Sequence, residues 1–433
     1  MKIALLGNTC NNNFSIMRYF RTLGADAHLL LYSDEGLTDS NPIHNPEWDT
    51  WNIGCWSPYI HRLPIPNGIQ GVVGRPDLFI RRPKKTELEK IFYGYDYYIG
   101  SGISPALFSR MNRALSIFYP YATGIEWVSD GQTLRKFSKY NLEWPFRWYV
   151  RKLQIAGIQK AEITVNPLLD HTKDVLDRYG IGFIRKYVPQ VYNLEVMPSD
   201  IDDDLLQNLM TQLGDSNYRI FSHMRHHWVG QENIYDIGTW WRNCKHNDWL
   251  IRGFSKFISI NKNVRAKLIL VDWGKDAGSS RVLCTQLGLN DNIIWLPLLK
   301  RRQIYWILSH CCDLAIGEFV QSPGAIWGST GWETIAAGVP TMQTINFDEI
   351  TYRNIFGHSL PKLIDVKSLD DVFINLCKVY SDISFARESA RCNRKWFSEH
   401  SGLELAKDWL HLMKPIAVGE SPINAESALS FKT

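Results

Sequence analysis

The chain has 433 residues, of which 45% are hydrophobic and 21% charged, and a formal net charge of only +4. The length calls for two or three folding units, and the apolar content supports packed cores, which excludes a disordered chain. The charge falls far short of the basic excess of a nucleic-acid binder but suits an anionic ligand or an anionic membrane surface.

In chain order, Lys2 to Leu6 reads as a buried strand, Gly7 to Asn13 as a polar turn, and Phe14 to Leu23 as a helix ended by Gly24-Ala25-Asp26. Ala27 to Tyr32 is the next apolar strand, which completes one βαβ unit and opens a Rossmann-like sheet. Residues 40 to 85 are rich in Pro, Gly, Asn and Trp without clear periodicity and read as long loops. Strands are expected at Tyr95 to Gly100, Leu115 to Tyr119 and Ala161 to Val165, with a helix over 148–160.

The acidic stretch Met197 to Ser216 follows, and the domain junction is expected just before it. A second alternation then begins: strands at Tyr218 to Ser222, Lys267 to Val271, Ile293 to Leu296, Leu314 to Ile316 and Pro340 to Gln343. Helices are expected between them at Trp249 to Ile260, Ser279 to Leu287, Gln303 to Ser309 and Gly331 to Ala337. The fold class is therefore α/β, with two Rossmann-like, doubly wound domains facing a central cleft. Their expected bounds are 1–195 and 196–415, with a Ser/Pro/Ala-rich, disordered tail over 416–433.

The eight cysteines show no C-x-x-C or Cys/His ligand spacing and read as free thiols in a reducing cytoplasm. His223, His226 and His227 lack Cys or carboxylate partners at ligand spacing, so no metal is expected. The start, Met1 to Gly7, is unlike a signal peptide, and no apolar run approaches about 18 residues. The expected location is cytoplasmic, with peripheral contact at the inner face of the membrane allowed. The 17 Trp and 19 Tyr suit sugar stacking, core filling and membrane interfaces alike.

The strongest local signal is Gly328-Ser329-Thr330-Gly331-Trp332-Glu333-Thr334-Ile335-Ala336-Ala337-Gly338-Val339-Pro340. A small-residue turn opens a helix and leaves backbone N–H groups and the positive end of the helix dipole free for a phosphate. Glu333 lies about one turn in, where a carboxylate can accept from two ribose hydroxyls. Gly338-Val339-Pro340 stops the helix and feeds the next strand. An ordinary Gly-capped helix start is the alternative.

The Glu-x-x-Ala-x-Gly-x-Pro pattern formed from Glu333 to Pro340 resembles the donor-binding segment of GT-B glycosyltransferases, family 4 in particular. That resemblance implies that Glu333 binds the nucleotide ribose. Many members carry a second Glu eight residues earlier; here that position is Ala325, and Glu318 lies further upstream, out of register. Phe221-Ser222-His223-Met224-Arg225 and Lys245-His246-Asn247-Asp248-Trp249-Leu250-Ile251-Arg252-Gly253-Phe254 are similar to two further family elements. By that similarity Arg225 and Lys245 grip the donor diphosphate. An Arg fork and a Lys ammonium stabilise a leaving diphosphate without a metal.

The strand ending at Leu296-Pro297-Leu298 would border the base pocket through backbone groups of Leu296 and Leu298. Gly328, Ser329, Thr330 and Gly331 complete the donor-binding set. The N-terminal domain would then face the acceptor. Gly7, Asn8 and Asn13 lie where GT-B enzymes place a loop near the donor phosphates or sugar; helix capping by the asparagines is the alternative. Thr123, Gly124 and Glu126 form the other cleft candidate, with Glu126 as a catalytic carboxylate. Asp96, alone at a strand start, reads as structural. The cation–aromatic runs Arg135 to Tyr140 and Trp144 to Lys152 suit either an anionic lipid surface or a surface helix with buried rings.

The resemblance implies a hexosyltransferase, retaining and independent of cofactors and metals, whose co-substrate is a UDP- or GDP-linked sugar. The acceptor would be a glycan or lipid-linked glycan in cell-surface polysaccharide synthesis. Three alternatives stand beside it: an inverting GT-B enzyme, a non-hydrolysing nucleotide-sugar 2-epimerase, and a sugar-binding pseudoenzyme.

Overall fold

A computed structural model describes residues 1–33, 42–65, 84–120, 144–167, 171–198, 202–230, 244–321 and 327–418, without the side chains of 42, 144–147, 171 and 414–418. The first unit runs β1 (Lys2–Leu6), α1 (Asn12–Thr22), β2 (Asp26–Leu31), α2 (Ile53–Trp56), β3 (Ile60–Arg62), α3 (Lys85–Ile91), β4 (Tyr97–Gly100), α4 (Ser104–Met111), β5 (Ile117–Phe118), α5 (Trp144–Lys160), β6 (Ile163–Thr164) and α6 (His171–Arg178). The second runs α7 (Asp204–Leu213), β7 (Tyr218–Ser222), α8 (Asn247–Ile260), β8 (Ala266–Val271), α9 (Ala277–Gln286), β9 (Ile293–Leu296), α10 (Arg301–His310), β10 (Leu314–Ile316), α11 (Ser329–Ala337), β11 (Thr341–Gln343), α12 (Glu349–Phe356), β12 (Ile364–Asp365), α13 (Leu369–Ser381), α14 (Ile383–His400) and α15 (Gly402–Val418).

Each unit holds a six-stranded parallel sheet, ordered β3-β2-β1-β4-β5-β6 and β12-β11-β10-β7-β8-β9. Both follow the doubly wound order in which the strand sequence reverses once. Helices cover both faces of such a sheet, so its strands carry continuous apolar runs, as in Ile3 to Leu6 and Leu268 to Val271. β1 lies between β2 and β4, with Leu5 opposite Leu29 and Ile99. β7 lies between β8 and β10, with Phe221 opposite Ile269 and Ala315. Those two reversals put a crevice at the carboxyl ends of β1 and β4, and another at β7 and β10.

The region read as loops from 40 to 85 contains β3 and short helical turns at Pro42–His44, Pro46–Trp48, Ile53–Trp56 and Ser57–Tyr59. Three residues pairing with β2 are too few to show a two-residue period in sequence. Residues 416–418, expected in a disordered tail, continue α15; 419–433 lie outside the described residues.

The last helices cross back. α14 packs on α11 and α15 packs on α1. Trp409 is fully buried, its indole N–H bonds the Tyr187 carbonyl at 2.9 Å, and its ring meets Tyr119 edge-on at 5.5 Å. Trp327, Trp332 and Trp396 join Ile3, Leu5, Phe14 and Tyr19 of the first unit in one hydrophobic cluster. Much of the aromatic excess thus fills the core between the two units.

Candidate functional site

At the carboxyl edge of the second sheet, β7 delivers His223 and Arg225, and β10 delivers Glu318. α11 starts at Ser329 behind Gly328, which has no side chain to cap it, and among the described residues no side chain accepts from its first amides. Glu333, one turn in, is only 5% exposed. Its Oε2 lies 2.8 Å from His223 Nε2, and its Oε1 accepts from Arg301 Nε at 2.7 Å. Burial pushes the Glu333 carboxyl up, but the Arg301 charge and the His223 hydrogen bond outweigh it and hold it below the ordinary carboxylate range.

Lys245, which precedes α8, sits 2.6 Å from Glu318 Oε1, and Thr330 Oγ1 reaches the same oxygen at 3.4 Å. A Cβ on Gly328 would stand 2.6 Å from Glu318 Oε2, so a larger residue there would have to displace this carboxylate. Glu318, out of register in the sequence, is thereby brought to the first turn of α11. The Lys245 backbone N–H bonds the His227 carbonyl at 2.7 Å, which places the lysine beside the segment carrying Arg225. Arg225 is exposed and has no ion pair among the described residues.

Leu296 and Leu298 divide. Leu296 is buried in the core, and its carbonyl accepts from the Asp272 N–H at 2.7 Å; Leu298 is 37% exposed. The His226 Nδ1 lies 2.8 Å from Ser280 Oγ on α9, and the His227 backbone N–H bonds Asn247 Oδ1 at 3.0 Å.

At the carboxyl edge of the first sheet, the Gly7–Asn13 turn is held by its own asparagines. Asn8 Nδ2 donates to Asn11 Oδ1 at 2.6 Å and to the His44 carbonyl at 2.8 Å. Asn13 Nδ2 donates to the carbonyls of Leu6 and Gly7, and Tyr119 OH donates to Asn13 Oδ1 at 2.8 Å. Cys10 and Asn11 sit at φ of 52° and 58°, a backbone region costly for residues with a side chain. Thr123, Gly124, Glu126, Ala325 and the run Arg135 to Tyr140 lie outside the described residues. Asp96 is an amino-edge clip, accepting from the Lys2 N–H at 2.7 Å. In α5, the Arg151 guanidinium lies 4.6 Å from the Trp148 ring and bonds the Tyr179 hydroxyl, so this part of the cation–aromatic run is used internally.

The two edges meet through Arg301, a residue that the sequence pattern did not single out. Besides Glu333, its guanidinium donates to the Cys10 carbonyl at 2.9 Å and approaches Asp49 Oδ1 and the Gln190 carbonyl at 3.4 Å each. Asp49 is also paired with Arg18, and Arg18 with Glu195 at 3.2 Å. Burial pushes the Asp49 carboxyl up against the pull of Arg301 and Arg18. Burial also works against the Arg301 charge, yet Asp49 and Glu333 hold it protonated above its usual range. The signal available in sequence was Arg301-Arg302 in the first turn of a helix, where the dipole disfavours cations.

With two such sheets facing each other at their carboxyl edges, comparison with solved structures settles the architecture. The chain has the GT-B fold. Anabaena HepE, solved with UDP and glucose, superposes with a TM-score of 0.57 over 96% of this chain and 100% of its own, at 13% identity. WaaG, a glycosyltransferase involved in lipopolysaccharide biosynthesis, gives 0.55 over 96% and 100%, at 14% identity. A putative UDP-N-acetylglucosamine 2-epimerase from Listeria monocytogenes gives 0.52 over 98% of both chains, at 12% identity. No protein-family model and no curated protein sequence matches the chain. Among the described residues no helix is long and apolar enough to cross a membrane.

Proposed function

We propose that this GT-B protein is a glycosyltransferase that moves a hexose from a nucleotide diphosphate sugar to a hydroxyl of a glycan or lipid-linked glycan. The observation that carries it is the grouping of an uncapped helix start, Gly328 to Gly331, with Lys245 and the buried Glu333 at the switch point of the second sheet. A diphosphate fits the amides of Ser329 to Gly331 and the ammonium of Lys245, with Arg225 reaching in from its exposed loop. A ribose fits Glu333: each carboxylate oxygen carries one bond here and has a second lone pair. Charge developing on the leaving diphosphate would be stabilised by these groups without a metal.

The acceptor side falls to the Gly7, Asn8 and Asn13 turn together with Thr123, Gly124 and Glu126. Retention of the anomeric configuration is the family 4 expectation. UDP or GDP is the nucleotide expected, since HepE was solved with UDP and UDP-glucose. Work at the inner membrane face, on a cell-surface polysaccharide, completes the reading.

The test is a thermal-shift screen of UDP, GDP, CMP and dTDP sugars against wild type and Glu333→Ala. A shift with one nucleotide class that disappears in the variant supports the donor site, and no shift with any of them refutes it. The 2-epimerase reading gains from the clustering of His223, Glu333, Arg301 and Asp49, an acid and histidine set not apparent in sequence order. Donor epimerised in the absence of acceptor would decide for it.

A further inference from the structure

The bonds around Arg301 do more than fill a buried site. Its Nε holds the carboxylate expected to take the donor ribose, while Nη1 and Nη2 hold Asp49 and the Cys10 carbonyl of the other unit. The guanidinium is planar and rigid, so a shift of Glu333 is felt at all its other partners. Those partners are poised: Cys10 is one of the two non-glycine residues of the Gly7–Asn13 turn at positive φ, and Asp49 is anchored to α1 through Arg18. Arg302, its neighbour, bonds the Thr50 carbonyl at 3.0 Å and lies 4.9 Å from the Trp51 ring without touching Glu333.

We propose that Arg301 is a positioning residue that couples nucleotide occupancy at Glu333 to the order of the Cys10 turn and the Asp49 segment, so that the donor prepares the opposite face of the cleft. The proposal rests on the donor reading of Glu333. Such coupling is a free energy shared between two places, and it vanishes when the shared group is cut.

The experiment is amide hydrogen exchange on the full chain, with and without saturating UDP or, failing binding, GDP or dTDP. Wild type is expected to show nucleotide-dependent slowing, threefold or more, both at residues 328–335 and at residues 8–13 and 45–51. Arg301→Gln keeps the first and loses the second, and Arg301→Lys restores part of it. Arg302→Gln, which cuts a cross-cleft bond but spares Glu333, behaves as wild type. A purely structural Arg301 would change the baseline but leave the nucleotide-dependent increment at 8–13 and 45–51, and that result overturns the proposal. Should Arg301→Gln fail to fold, Asp49→Asn carries the test: it leaves the Arg301 bonds to Glu333 and to the Cys10 carbonyl, so the response at 8–13 persists, and an undiminished response at 45–51 overturns the proposal. If no nucleotide slows exchange at 328–335 in wild type, the donor reading falls first and takes the coupling with it.

Discussion

Lys245 Nζ stands 2.6 Å from Glu318 Oε1, beside the first turn of α11, with both side chains largely buried. The ammonium that should meet a diphosphate therefore has a carboxylate as its neighbour, and a phosphate would have to share it.

Glu318→Gln removes that competing charge. It should tighten UDP binding by roughly three- to tenfold, about 1 kcal/mol, by calorimetry. Lys245→Met should lower the transfer rate on the order of 100-fold, the scale seen when one stabilising donor is removed. Weaker UDP binding by Glu318→Gln would assign Glu318 the different task of holding the lysine in place.

Gly328→Ala places a methyl 2.6 Å from Glu318 Oε2, so the carboxylate that pairs with Lys245 has to shift. The cost of such overpacking is about 1–3 kcal/mol. A lowered melting temperature together with lost nucleotide binding is expected. An unchanged melting curve would mean that Glu318 swings away freely.

His226 supplies a pH dependence. Burial holds its pKa down to about 4, although Asp272 pulls it up, whereas an unfolded imidazole titrates near 6.5. Between those values the unfolded chain binds the extra proton, so stability rises with pH. The contribution is complete above the unfolded value and is lost progressively as pH falls toward 4, roughly 3 kcal/mol in all. Urea midpoints at several pH values should show a flatter slope for His226→Gln than for wild type; parallel slopes would refute the assignment.

Trp409→Ala removes a fully buried ring and leaves the Tyr187 carbonyl without its indole donor. A loss of about 3–5 kcal/mol is expected for such a truncation. Because Trp409 packs with residues of β1 and α1, near-neutral Trp fluorescence and peptide exchange should report loosening of the first unit, not only of α15. Exchange confined to 402–418 would contradict this.

The strands of both sheets were legible because parallel strands buried on two faces are short continuous apolar runs, such as Ile3 to Leu6 and Leu268 to Val271. β3 and β12 were not: Ile60–Arg62 and Ile364–Asp365 owe their form to pairing with a neighbour rather than to a pattern of their own. α4 was not expected: its eight residues, Ser104–Met111, are stabilised by packing on α5, where Gly157 comes so close that a Cβ would meet the Pro105 carbonyl. At the site, the start of α11 and Glu333 stood out through local spacing. The Gly338 stop was also readable, and the residue adopts φ of +66°. Arg301 and Asp49 were silent, since they meet across 252 positions only when the two sheets are set edge to edge, and the pairing of His223 with Glu333, 110 positions on in the same unit, leaves no local pattern.

The return of α15 onto α1 also dictates an order of manufacture. The ribosome releases β1 and α1 long before Trp396, Phe397, Leu405, Ala406 and Trp409, which seal that core. Until they do, the nascent first unit carries an uncovered apolar flank, the kind of surface that chaperones hold and that aggregates when left alone. The core around β1 and α1 is finished only once the segment that carries Trp409 has been made.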